Sequence, residues 1–390
     1  MKSAEEKNIK GLNNCKIAIV HDWLVAYAGS ERVVEQMLQV FPCADVFSLV
    51  CAMPGESPRT FLGRPVATSF IQRLPFGVSR FRAWLPLMPF AIEQFDLSGY
   101  DLVISSSHCV AKGVLTGPDQ CHVCYCYSPV RYAWDLQHQY LAQSKSAGVR
   151  GWPARWILHK LRLWDVRTGN GVDQFLTLSR YIARRIRKCY GRLSTVIYPP
   201  VDVAGFPLCN GPRKGFVAAS RMVPYKQMPL IVKAFAGLPD MPLTVIGDGP
   251  DLAACRAAAE GYSHIKILGY QPTKVLRETF AASEAFIFAA EEDFGIAPLE
   301  AQASGTPVIA FGRGGASETI IDGVTGMFFH RQDVSAIQEA VKRFRSQKAM
   351  SPEACRVNAE RFAPEHFRAQ FASAVEEAWN EHRLRCSTPE

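Results

Sequence analysis

Two pairs of charged residues are spaced for chemistry. Arg221 and Lys226 lie five apart across a proline-containing loop, and Glu292 and Glu300 have seven residues between them. A planar guanidinium beside a compact ammonium suits a diphosphate, the first as a fork and the second as a point charge. Two carboxylates flanking Gly295, Ile296 and Ala297, whose backbone N–H groups go unpaired at a helix start, suit a ligand that joins a phosphate to hydroxyls, as a sugar and a ribose offer. Each pair also has a plainer reading: a basic surface loop for the cations, and dipole-favoured helix-start acids for the glutamates.

The surrounding sequence supplies elements to hold these groups. Ala285–Ala290 reads as a buried parallel strand, Pro298 as the first residue of a helix, Gly305 as its end and Pro307–Phe311 as the next strand. Arg221 follows an apolar strand, Gly215–Ser220, and Lys226 precedes an amphipathic helix through Leu230, Ile231 and Phe235. A strand at Leu243–Ile246 closes on GDGP, where Gly247 and Gly249 suit a tight turn under a nucleotide. A full dinucleotide fingerprint is missing, since position 252 is Leu. Gly312–Gly315 is expected to be flexible enough to cover a ligand.

The first half repeats the pattern. Cys15–Val20 is an apolar strand followed by a loop around Gly29 and a helix, the opening unit of a doubly wound sheet. Strands at Leu102–Ser105 and His122–Cys126 lead to His108 with Lys112, and to Tyr127-Ser128 with Arg131-Tyr132. Tyr127 can donate a hydrogen bond but is no cation near neutral pH. His108 is the second candidate for a sugar contact, with a structural histidine as the alternative. CHVCYC, Cys121–Cys126, invites a zinc reading, yet no second Cys pair stands at metal-site spacing and the segment also reads as a strand.

These motifs, together with Phe294-Gly295-Ile296 and the following SGTPVIA, resemble the retaining nucleotide-sugar glycosyltransferases of family four. In SSSH…AKG and YAWD the chain is most similar to the mannosyltransferases that build bacterial O-antigen and exopolysaccharide. The resemblance implies the α/β GT-B fold: two facing Rossmann-like domains, 1–199 for the acceptor and 200–365 for the donor, with a C-terminal helix, 366–390, crossing back to the first. It implies that Arg221 and Lys226 bind the donor's diphosphate, Glu292 touches the donor sugar and Glu300 the ribose, and Gly269 lies in a loop, Ile267–Tyr270, that reads the base. Gly29, His108, Tyr127, Gly247, Gly249, Phe294, Gly295 and Ile296 complete the expected donor site. The family usually has two glycines where this chain has Ala28-Gly29-Ser30, and a His-Thr pair where it has Tyr127-Ser128. The implied activity is transfer of a hexose, best read as mannose from GDP-mannose, to a lipid-linked sugar in cell-surface polysaccharide assembly. UDP-linked sugars, a sugar phosphorylase and a catalytically silent membrane-associated module remain as alternatives.

Composition frames these expectations. With 390 residues, 48% hydrophobic and 21% charged, the chain is globular and long enough for two domains. Residues 1–200 hold 24 Lys and Arg against 14 Asp and Glu, and residues 201–390 hold 20 against 22. The basic half should meet something acidic. From Gly63 to Ile92, arginines alternate with bulky apolar groups. From Lys145 to Arg167, Trp152, Trp156, Leu163 and Trp164 mix with cations, a composition suited to an anionic membrane interface or to core packing. No apolar run is long enough to span a bilayer, and the polar start lacks a signal peptide's apolar core, so a cytoplasmic, peripheral location is expected. No nucleic-acid module is present. No two aspartates are two apart, so neither a metal nor another cofactor is expected.

Overall fold

The computed structural model describes residues 12, 14–138, 141, 151–209, 211–347 and 349–387. Lys145–Arg150, the start of the Trp-rich stretch, and most of the polar N-terminal segment lie outside the described residues. The chain divides into two compact units, Met1–Pro199 with Phe367–Glu390, and Pro200–His366.

Unit 1 is built on eight strands: β1 Ile17–His21, β2 Asp45–Ser48, β3 Thr60–Phe61, β4 Arg64–Thr68, β5 Leu102–Ser107, β6 Cys121–Cys126, β7 Gln174–Thr177 and β8 Thr195–Val196. Their order is β3-β4-β2-β1-β5-β6-β7-β8, parallel except for the β3–β4 pair. β1, β5 and β6 are buried along their whole length, as parallel strands covered on both faces must be. The order reverses between β1 and β5, so the connections leave these two strands on opposite sides and open a crevice at their carboxyl ends. β8 is only two residues long and stands shortly before Pro199-Pro200, where two prolines break the ladder.

Unit 2 has six parallel strands: β9 Phe216–Ala219, β10 Leu243–Ile246, β11 Ile265–Gly269, β12 Ala285–Phe288, β13 Val308–Phe311 and β14 Gly326–Phe329. The order is β11-β10-β9-β12-β13-β14, a doubly wound Rossmann arrangement with its reversal between β9 and β12. Its core joins β9, β10 and β12 to the helices Met228–Ala236 and Val334–Ser346 through Phe216, Phe235, Ile287 and Ile337.

Three local expectations are corrected. The helix after β12 is Ile296–Ala303, two residues earlier than Pro298 suggested. Gly295 takes a left-handed φ of 85° and turns the chain into it, while Pro298 occupies one of the positions whose missing N–H would be unpaired anyway. Glu300 therefore sits in the second turn. Ile267–Tyr270 is no loop: residues to Gly269 complete the edge strand β11, and only Tyr270 lies beyond it. The strand expected over Pro307–Phe311 begins one residue later, as β13 Val308–Phe311, and β14 pairs outside it.

The C-terminal helix, Pro364–Ser387, packs from Phe367 onward on unit 1. Phe371 meets Phe41, Phe367 meets Tyr125, and the Arg368 guanidinium donates to Gln39 Oε1 at 2.8 Å.

Candidate functional site

In unit 2 the strand reversal brings the two charged pairs of the sequence to the same end of the sheet. Arg221 and Lys226 follow β9, and Glu292 follows β12, its immediate neighbour. The Lys226 ammonium forms an ion pair with the Glu292 carboxylate, both side chains 16% exposed. Both side chains are mostly shielded by the surrounding turns and keep a small contact with water. Arg221 is exposed, on the strand-to-helix turn.

Backbone packing fixes the turns around this pair. A Cβ on Gly247, which has φ 138°, would stand 1.8 Å from Ser220 O, so only glycine lets the β10 turn lie against the β9 turn. Gly315 N donates to Glu292 O at 2.8 Å, and a Cβ on Gly315 would strike the Phe294 backbone. Gly312–Gly315 is thus a support beneath Glu292 rather than a cover for a ligand. Gly249 shapes the same turn as Gly247, and Gly269 ends β11, its carbonyl oxygen accepting from Gly247 N at 2.8 Å. The Phe294 side chain is a packing group: it is buried against Phe362, with ring centroids 5.7 Å apart, and offers a ligand only its backbone. Gly295 caps the helix whose first residue is Ile296, and Glu300 is half-buried one turn on.

Unit 1 carries its own cluster at the β1–β5 reversal. Asp22, fully buried just after β1, accepts from four backbone N–H groups, those of His108 at 2.6 Å, Cys109 at 2.9 Å, Val110 at 2.6 Å and Ala111 at 2.8 Å. It also faces His108 Nδ1 at 3.0 Å. Burial alone would raise the Asp22 pKa, but His108, His21 and the backbone donors hold it below the usual carboxylate value. His108 goes the other way: burial beside Trp23 pushes its imidazole below the ordinary value although Asp22 pulls it up.

Beside it, buried His21 places Nδ1 2.9 Å from Ser106 Oγ and Nε2 3.7 Å from Glu31 Oε1. Glu31 in turn accepts from Ala28 N and Ser30 Oγ at 3.0 Å each, closing the start of the helix Gly29–Val40. Tyr127 donates to Ser30 O at 3.1 Å and lies 3.0 Å from Ser106 Oγ. Burial keeps its hydroxyl protonated. Gly29, His108 and Tyr127 are therefore gathered around one group that the sequence reading missed: His21, Asp22, Glu31 and Ser106. The one available signal was the His-Asp dipeptide at the carboxyl end of the first strand, where ligands meet such sheets.

The wider comparisons fit this geometry. Residues 207–362 match the model of the family described as glycosyl transferases group 1. Across 92% of its length the chain superposes on 98% of Anabaena Alr3699/HepE, solved with UDP and glucose, with a TM-score of 0.66 at 18% identity. Sucrose-phosphate synthase from Thermosynechococcus elongatus gives the same TM-score at 16% identity over 96% of this chain and all of that one.

The fold is GT-B.

This GT-B chain is also similar in sequence to curated glycosyltransferases. It is 31% identical over 204 residues to the GDP-mannose-dependent alpha-(1-6)-phosphatidylinositol monomannoside mannosyltransferase of Mycolicibacterium smegmatis, covering 45% of this chain and 53% of that protein. It is 30% identical over 181 residues to the D-inositol 3-phosphate glycosyltransferase of a Mycobacterium species (strain JLS), covering 43% and 41%. The chain spans about half the length of the curated relatives it matches.

Unit 1 of the GT-B fold also carries the basic, aromatic surface. On the helix Trp152–Thr168, Trp152 is 70% exposed and Trp156 62%, with Lys160 over the Trp156 ring. Trp164 departs from the expectation. It is half-buried, donates to Glu93 Oε1 at 2.7 Å and fills the space that a side chain at Gly113 would need. Phe76 and Phe90 are exposed near Arg73, Arg80 and Arg82 in sequence, and Arg80 lies over the Phe76 ring. No described helix is long and apolar enough to cross a membrane.

Proposed function

We propose that this protein is a retaining glycosyltransferase that moves mannose from GDP-mannose to a lipid-linked sugar in cell-surface polysaccharide assembly. The observation that carries the reading is the convergence of Arg221, Lys226 and Glu292 at the β9–β12 reversal of a Rossmann sheet, where a nucleotide's diphosphate would lie. The names of the mannosyltransferase relatives support the choice of base and sugar.

As the glycosidic bond of the donor breaks, negative charge grows on the departing diphosphate. Arg221, Lys226 and the N–H groups at the start of Ile296–Ala303 are preorganised to take it, in place of a metal. Glu292 holds the Lys226 ammonium before the donor arrives and then accepts from the sugar hydroxyls. Glu300 accepts from the ribose. The acceptor hydroxyl attacks on the face from which the diphosphate leaves, and the diphosphate takes its proton, so configuration is retained. Within unit 1, His108 and Tyr127 offer hydrogen-bonding groups suited to a sugar hydroxyl.

The acceptor is presented at a membrane, and Trp152, Trp156, Phe76 and Phe90 with their neighbouring cations lay unit 1 on anionic lipid.

The test is transfer itself. Purified protein is given GDP-mannose, UDP-glucose or UDP-galactose with a panel of polyprenyl-diphosphate sugars, and the anomeric configuration of the product is read by NMR. An α-mannosyl product from GDP-mannose is expected. Transfer from a UDP-sugar alone would replace the donor, and a β-product would remove the retaining mechanism.

A further inference from the structure

The end of the unit 1 sheet opposite His108 and Tyr127 holds a second group of chemically capable side chains. Cys121 opens β6 and is fully buried, Asp173 stands just before β7, and His382 is buried on the C-terminal helix. One ligand atom from each, the thiol sulfur, a carboxylate oxygen and a ring nitrogen, lies within 4.8 Å of the others.

We propose that Cys121, Asp173 and His382 bind one zinc-type divalent cation, which ties the C-terminal helix to the unit 1 sheet.

The donor set is the argument for the ion. Thiolate, imidazole and carboxylate together favour zinc over hard, oxygen-seeking cations such as magnesium or calcium. His382 Nδ1 is 3.8 Å from Asp173 Oδ1, against about 3.4 Å for adjacent ligands around tetrahedral zinc at ordinary bond lengths, a gap that a small side-chain rotation closes. The remaining groups are already engaged in the way that outer partners of a metal site are. Asp173 Oδ2 accepts from His122 N at 2.9 Å, which fixes the carboxylate and leaves Oδ1 toward the histidine. His382 Nε2 lies 3.4 Å from Cys386 Sγ, one helical turn on, so the nitrogen that would not ligate has its own partner and holds the ring in place.

Arg385 Nη1 lies 3.5 Å from Asp173 Oδ1 and supplies the competing reading, an ionic fastening without metal. Its side chain is 59% exposed and has water to turn into when a cation takes the carboxylate. The three ligands come from segments far apart in the chain, so the ion would stabilise the folded state that brings them together.

The test uses the full-length protein, stripped with a chelator and titrated with Co2+. One equivalent should give the visible bands of a tetrahedral site and a thiolate-to-cobalt charge-transfer band, both displaced by Zn2+. Zn2+ should raise the melting temperature of the stripped protein. Cys121→Ser should abolish the charge-transfer band, His382→Ala should weaken binding by more than about tenfold, and Cys386→Ser should keep the band. Absence of these bands in the wild type, or a charge-transfer band that survives Cys121→Ser, overturns the proposal. If Cys121→Ser does not fold, the rate of alkylation of wild-type Cys121 during unfolding in denaturant, read by peptide mass spectrometry, decides instead, because the thiol is buried in the folded protein. Protection by Zn2+ supports the site, and unchanged labelling overturns it.

Discussion

The Lys226 ammonium is paired with the Glu292 carboxylate across neighbouring strands β9 and β12, at the point where the sheet of unit 2 reverses its order. Both side chains are mostly buried, 16% exposed, so removing one partner leaves the other charge poorly solvated. In the proposed reaction the pair holds a cation where the leaving diphosphate needs one.

Lys226→Ala and Arg221→Ala should each lower turnover by about 100-fold or more, the cost of one lost donor to developing charge, while the melting temperature stays within a few degrees of wild type. Because Lys226 and Glu292 contact each other, Lys226→Ala combined with Glu292→Gln should cost less than the two single effects added. Steady-state rates on a double-mutant cycle check this. Additive effects would mean that the residues act separately.

Glu300→Ala should raise the KM for the nucleotide-sugar by about 10- to 100-fold, as expected for a charge-assisted hydrogen bond to a ribose hydroxyl. The matching 2′- or 3′-deoxyribose donor should show that penalty with the wild type and little further penalty with the variant. An equal discrimination by both proteins would place Glu300 away from the ribose.

Asp22 supplies a prediction about stability and pH. Its four backbone donors anchor the segment from His108 to Ala111, so Asp22→Asn, which can accept at only one of the two side-chain positions, should destabilise unit 1 by about 2 kcal/mol or more. The folded pKa of Asp22 is below its reference value of 3.8, so its stabilising effect is present above that value and is lost as pH falls through the folded pKa. Denaturant unfolding followed from pH 5 toward pH 2 should show a steeper loss for wild type than for Asp22→Asn. Parallel curves would contradict the assignment.

Much of unit 2 was legible because its signals are local. Leu243–Ile246 matches the observed strand residue for residue, since an apolar run bounded by Pro242 and Gly247 fixes it. The edge strand β11 was misread because an edge strand need not be apolar throughout, and Lys266 and Leu268 are exposed. Phe294 illustrates another limit: its place in the motif is local, but the pocket that buries it is made by Phe362, far along the chain. The partners of Asp22 and His382 were beyond reach for the same reason, although the position of Asp22 after the first strand was a signal. Those partners lie many tens of residues away, and only the folded sheet brings them together.

Trp152→Ser with Trp156→Ser should abolish sedimentation with vesicles rich in anionic lipid and leave the melting temperature unchanged, because both rings face solvent. Binding of wild type should weaken as salt rises. Undiminished vesicle binding by the double variant would move the membrane contact elsewhere.

The most direct test of the donor site is calorimetric titration of the full-length protein with GDP, UDP and ADP, first with Mg2+ withheld and then with it added. The account predicts micromolar binding of GDP alone, unchanged by Mg2+ and lost in Lys226→Ala. Binding of no nucleotide, or binding that appears only with Mg2+, would contradict a site in which Arg221, Lys226 and a helix start take the place of the metal.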